Sequence, residues 1–145
     1  MKPIVFSWQA WAVLSACFAA LTAIFAKVGV EGVDSNVATF VRTLVVVLML
    51  VAILGATGQL SSAVGLSGRT YVFLALSGLA TGASWLCYFR ALQIGNAGQV
   101  APVDKLSVVL VAVFGAVFLG ERLSGVNWLG IALIAVGAML AIIKS

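Results

Sequence analysis

The sequence predicts an all-α integral membrane protein with five transmembrane helices, and three observations predict it. The first is composition: 145 residues, 63% hydrophobic and only 8% charged, with a mean hydropathy of +1.23. A soluble domain carries about 25% charged residues. The second is that the apolar residues fall into continuous runs of roughly 20 residues, the length needed to cross a hydrocarbon core about 30 Å thick. The third is that these runs do not alternate polar and apolar with period two, as barrel strands do. Backbone exposed to lipid must satisfy its own hydrogen bonds, which leaves the helix. No stretch is left for a separate soluble domain, so residues 1–145 read as a single membrane domain.

The first run, 4–26, follows Lys2 and holds no charge. It is too long for a signal-peptide core of about 7–15 residues, and Trp8 and Trp11 suit a membrane interface. The loop "KVGVEGVDSN" brings Glu31 and Asp34, and the second run covers 37–56. The Gly/Ser-rich segment "TGQLSSAVGLSGR" reads as a loop before the third run, 71–92. The turn "QIGNAGQ" leads to the fourth run, 100–119, and "GERLSG" leads to the fifth, 126–143, with Trp128 as a further interface anchor. Small residues suited to close helix packing recur on the last three runs: Gly78 and Gly82 as a GxxxG pair, Gly115 beside Ala112 and Ala116, and Gly137 with Ala141.

Composition also excludes functions. Histidine is absent, which removes the commonest metal ligand and general base. Cys17 and Cys87 both lie inside apolar runs and read as packing residues, so neither a metal site nor a disulfide is expected. The basic residues are scattered singly, which speaks against nucleic acid as a partner. No nucleophile–base pair points to an enzyme, and no cofactor is expected.

Five crossings place the termini on opposite faces. Lys2, Arg69 and Arg122 then lie on the N-terminal face, and Lys27, Arg90 and Lys144 on the other. Only Arg42 and Lys105, embedded deeper near the second face, break the tie. The positive-inside rule needs a clear asymmetry to fix orientation. Two readings follow: insertion in both orientations with pairing as an antiparallel homodimer, or a single orientation under a weak bias. A five-helix unit duplicated in tandem generates an inverted repeat, and an unfused unit reaches the same architecture by inserting both ways.

The stretch "PVDKLSVV", 102–109, carries charges that lie too deep. Fifteen uncharged residues separate Lys105 from Glu121, roughly 22 Å of helix, which is too short to span. A fourth helix bounded by Gly120 therefore begins near Ala101. Pro102 falls in its first turn, and Asp104 gains from the helix N-terminus. Arg42, Arg90, Asp104 and Lys105 thus form an expected charge layer below one face. Asp104 and Lys105 are about 100° apart on the helix, and each is expected to have its own partner. Lys105 and Arg90 can instead snorkel to the headgroups. Intramembrane ionisable residues are functional candidates by default: Asp104 would hold substrate, relay a proton, or clasp Arg42. It is the leading candidate for proton coupling. Trp85 and Tyr88, deeper than belt residues, read either as lining for an amphipathic or cationic ligand or as plain packing.

"WAVLSACFAALTAIFAKVGVEGVDSNVATFVRTLVVVLML" resembles the opening of an EamA-type domain of the drug/metabolite transporter (DMT) superfamily, with its "AKxG" exit and the early Arg42. "YFRALQIGNAGQVAPVDKLSVVLVAVFGAVFLGERLS" is similar to the later signature of that family, with the "RAL…G" exit, the intramembrane proline and the closing "FLGERLS". The resemblance implies export of small metabolites or drugs across the cell (plasma) membrane, of bacterial inner-membrane type, without ATP hydrolysis. Most members have ten helices in two inverted halves, and this chain would be one five-helix repeat unit. The small multidrug resistance proteins form antiparallel dimers around an acid on their first helix. No acid stands there here, so that coupling does not carry over. The expected protein is a homodimeric, alternating-access secondary transporter, with itself, the lipid bilayer and a small-molecule substrate as partners. The alternative is an obligate subunit of a heteromeric half-size transporter or lipid-linked-sugar flippase. Arg42, Trp85, Tyr88, Asp104 and Lys105 are the residues expected to bind substrate or gate its passage.

Overall fold

The computed structural model describes residues 7–143, the side chain of Ala63 excepted. Lys2, Lys144 and the first three residues of the 4–26 run lie outside the described residues. Among the described residues all regular structure is helical: α1 (Trp8–Gly29), α2 (Ser35–Ala56), a 3-10 turn (Leu60–Ala63), α3 (Gly68–Ile94), α4 (Ala97–Asp104), α5 (Ser107–Phe118) and α6 (Gly125–Leu140).

The helix starts are written by their caps. The Ser7 hydroxyl accepts from the Ala10 amide ahead of α1. Asp34 accepts from the Asn36 amide at 2.8 Å and starts α2 two residues earlier than its apolar run. Ser67 accepts from the Thr70 amide and starts α3 at Gly68 rather than at 71. Ser124 accepts from the Asn127 amide and starts α6. Each cap satisfies one of the amides that a helix start leaves unpaired. Inside α2 the hydroxyls of Thr39 and Thr43 donate to the carbonyls of Ser35 and Thr39, both at 2.7 Å, so neither presents an unmet polar group to lipid.

The fourth apolar run is not one helix. The structure splits it into α4 and α5 around Lys105 and Leu106, and it begins at Ala97, not near Ala101. Pro102 therefore sits in the interior of α4, not in a first turn. It cannot donate to the Gly98 carbonyl, and its ring crowds that carbonyl. Past it the ladder tightens: the amides of Leu106, Val108 and Val109 bond to the carbonyls three residues back, each at 3.0 Å, the pattern of a 3-10 turn.

Four stretches among the described residues are long and apolar enough to cross a membrane: α1, α2, α3, and Ala97–Phe118 taken through its break. α6 has 16 residues, about 24 Å of helix, which falls short of the ~30 Å core. The sequence run extends to 143, but after Leu140 the bonds shift to three-residue spacing at Ile142 and Ile143.

The chain divides into two compact units: Phe25–Gln93, and Met1–Ile24 with Ile94–Ser145. In the first, the buried residues Val30, Thr39, Phe89 and Leu92 gather where α1 ends, α2 begins and α3 ends. In the second, α6 packs on α4 and α5, with Ala112, Gly115 and Ala138 buried. Close packing there does use small residues, but Ala138 takes the place expected of Gly137. Most large apolar side chains remain exposed, among them Phe40, Leu48, Leu79 and Leu133. Such a surface is stable in lipid or against another apolar chain, not in water.

Candidate functional site

The polar chemistry of the Phe25–Gln93 unit is concentrated at one end. Lys27, in the last turn of α1, donates to the Leu92 carbonyl at 2.6 Å. That carbonyl belongs to the last turn of α3, so a cation there meets the negative end of the helix dipole. The Gln93 amide nitrogen donates to the Val33 carbonyl at 2.5 Å, and its oxygen accepts from Arg90 at 3.1 Å. Arg90 is exposed, and Gln93 carries the relay to the Val33 carbonyl in the α1–α2 loop.

Below these ties lies Arg42. It is seven residues into α2, about 10 Å along the axis, and Trp85 is nine residues before the end of α3, about 13 Å along it. The two therefore meet at similar depth. The guanidinium carbon is 3.2 Å from the centroid of the Trp85 ring and 5.7 Å from that of Phe89. Tyr88 stands within electrostatic range of the guanidinium. Arg42, Trp85 and Tyr88 are each half-buried, and Phe89 is 3% exposed.

Magnitudes explain the pairing. An arginine at the centre of a bilayer costs about 2.5–3.5 kcal/mol on insertion scales. A desolvated cation–π contact returns about 2 kcal/mol. Stacking on Trp85 therefore offsets much of the cost of holding the charge at this depth. It uses only the face of the guanidinium. Among the described residues no carboxylate lies within ion-pair distance of Arg42 and none accepts a hydrogen bond from it. One face of the Trp85 ring is therefore already occupied by a cation.

In the other unit, Asp104 and Lys105 do not seek separate partners. The Lys105 ammonium lies 3.2 Å from the Asp104 carboxylate, with the side chains 56% and 36% exposed. The flexible lysine stem closes the angle that the helix opens. Asp104 is the last residue of α4, seven residues from its start, so the helix N-terminus expected to favour its charge is about two turns away. The neutral pair costs less in lipid than two isolated charges.

The small residues separate into two groups. Gly115 is buried, and a Cβ there would meet Glu121 Oε2 at 2.7 Å: the glutamate folds back over α5 after the left-handed Gly120, φ 68°. A Cβ on Gly78, Gly82 or Gly137 would meet nothing within 4 Å. An apolar groove of about 600 Å³ runs along α1, lined by Gln9, Ala10, Trp11, Val13, Leu14 and Cys17, and none of the residues expected to face substrate is among them. Sequence reasoning passed over Lys27, Gln93 and Phe89. Lys27 and Gln93 carried a signal, since both are polar residues at the ends of apolar runs.

The chain matches the EamA-like transporter family over residues 6–143. A protein of Sinorhizobium sp named "Uncharacterized transporter in cobO 3'region" is 62% identical over 134 residues, covering 92% of this chain and 95% of that protein. No solved structure matches the chain.

Proposed function

The chain belongs to the EamA-like transporter family, and on that premise we propose that this multi-pass membrane transporter is a secondary exporter of small metabolites or drugs, working as an antiparallel, dual-topology homodimer in the plasma membrane. The observation that carries the reading is a charge kept a third of the way along an apolar span: Arg42, held on Trp85. A transporter needs a polar point inside the membrane that substrate reaches from either face.

Several features support the assembly. The relative named a transporter is matched over 95% of its own length, so a unit of this size is found under that description. The open faces of α3 at Gly78 and Gly82 and of α6 at Gly137 suit close approach of a second chain. The tightened turn at 141–143 adds about 2 Å per residue to α6 and brings it near the ~30 Å core, which favours a fifth crossing and an inverted pair. Arg42, Tyr88 and Arg90 in the first unit, and Asp104 and Lys105 in the second, are the candidates for binding substrate or gating its passage, and the break after Pro102 lets α4 move against α5 as access alternates. Asp104 is the proton-coupling candidate. The rival assembly pairs the chain with a different half-size subunit, for transport or for flipping a lipid-linked sugar.

Crosslinking of the purified chain separates these. Self-pairs formed through cysteines placed at Gly78 or Gly137 are expected from the homodimer. A chain that stays monomeric when purified alone and pairs only on addition of another subunit would rule it out.

A further inference from the structure

We propose that the unpaired edge of the Arg42 guanidinium recognises an oxyanion on the transported molecule, a carboxylate or a phosphate, so that the substrates are small organic anions rather than cations. The inference rests on the transporter reading and narrows it.

Five observations carry it. Trp85 at 3.2 Å covers one face of the guanidinium and Phe89 stands at 5.7 Å, which fixes the plane and leaves the nitrogen edge to act. Among the described residues that edge donates no hydrogen bond and meets no carboxylate. Asp34 accepts from the amide at the start of α2, and Asp104 is taken by Lys105. Among the described residues no buried side-chain nitrogen or oxygen lacks a partner. The unbonded nitrogens of Arg42 are therefore reachable rather than sealed. Finally, the unit that holds them carries four cations, Lys27, Arg42, Arg69 and Arg90, against two acids, Glu31 and Asp34, a difference of +2.

The chemistry follows from the shape of the group. A planar guanidinium with its face stacked presents parallel N–H donors along its edge, and this fork matches carboxylate and phosphate oxygens two at a time. About 10 Å into the span the donors replace the hydration an anion gives up. A neutral molecule of the same shape leaves the fork unsatisfied. A cation meets the like charge of Arg42.

The test uses the purified full chain in detergent, with benzoate and phenyl phosphate as probes and benzamide and benzylammonium as matched neutral and cationic controls. Saturable thermal stabilisation by at least one of the two anions, and by neither control, is expected. Arg42→Gln is expected to weaken that binding by about thirtyfold or more, the loss typical when one member of a buried charged pair is removed. Arg42→Lys, which keeps the charge and loses the fork, is expected to fall between. Absence of saturable binding by both anions, tighter binding of benzylammonium, or full anion binding by Arg42→Gln would each overturn the proposal. The wild-type comparison stands even where a variant folds poorly. Uptake into liposomes separates the two readings. Anions that bind through Arg42 but are not moved leave this site standing and defeat the transporter reading. Uptake of benzylammonium in place of the anions does the reverse.

Discussion

The guanidinium of Arg42 lies 3.2 Å from the centre of the Trp85 ring, on two helices that meet a third of the way along their spans. This contact joins α2 to α3 and makes a membrane-embedded charge tolerable. Trp85→Ala removes the platform and Arg42→Ala removes the charge. Either alone is expected to change stability, and the double mutant is expected to show a coupling of about 1–2 kcal/mol. Reversible unfolding in mixed micelles measures it, and a coupling of zero would mean that the stack is incidental.

Lys27 closes the end of α3 through the Leu92 carbonyl. Lys27→Met leaves that carbonyl without the ammonium donor and is expected to destabilise by about 1.5–3 kcal/mol, the range for hydrogen bonds to charged groups. Lys27→Arg should recover most of it. Unfolding of the two variants side by side is the check, and equal losses would assign the effect to the lysine stem instead.

Pro102 is the cause assigned to the break between α4 and α5. Pro102→Ala supplies the missing donor to the Gly98 carbonyl and removes the ring, so the ladder should run through. Amide hydrogen exchange at 105–109 is expected to slow relative to the wild type. Unchanged exchange there would place the cause in the Asp104–Lys105 pair.

The two glycines around the end of α5 should behave differently. Gly115→Ala meets only the far end of the flexible Glu121 side chain, and alanine is the better helix former by about 1 kcal/mol. Little or no loss is expected. Gly120→Ala must adopt φ near 68° and is expected to cost about 1–2 kcal/mol. Thermal unfolding of both variants gives the ranking, and a reversed order would refute the turn geometry.

If Asp104 couples protons, Asp104→Asn abolishes transport, or frees it from the pH gradient, while insertion is kept. Liposome uptake with and without an imposed gradient is the measurement. Wild-type rates at every pH would remove Asp104 from the mechanism.

Much of the helical pattern was legible because it depends on local signals. Continuous apolar runs marked the long spans, and Ser67, Ser124 and Asp34 sit where helix caps belong. Asp34 was nonetheless read only as a loop acid, because a carboxylate in a sparsely charged chain draws attention to its sign before its geometry. The break at Lys105 was missed for a related reason. Helix four was anchored from Gly120 backwards, which put Pro102 in a harmless first turn, when the start at Ala97 makes it an interior residue. The Arg42–Trp85 stack was not legible at all. Both residues were singled out, yet their contact depends on how α2 and α3 set their faces together, which spacing along one chain does not encode. Asp104 and Lys105 were separated by helical angle, a rule that holds for Cβ directions but not for the end of a long lysine.

Two copies in opposite orientations are proposed to make the transporter. Fusing to the C-terminus, in parallel, a reporter active only outside the membrane and one active only in the cytoplasm tests it most directly. Both are expected to report from the wild-type chain, and added lysines on one face are expected to shift the balance toward one of them. Activity from one reporter alone, at every expression level, would contradict it.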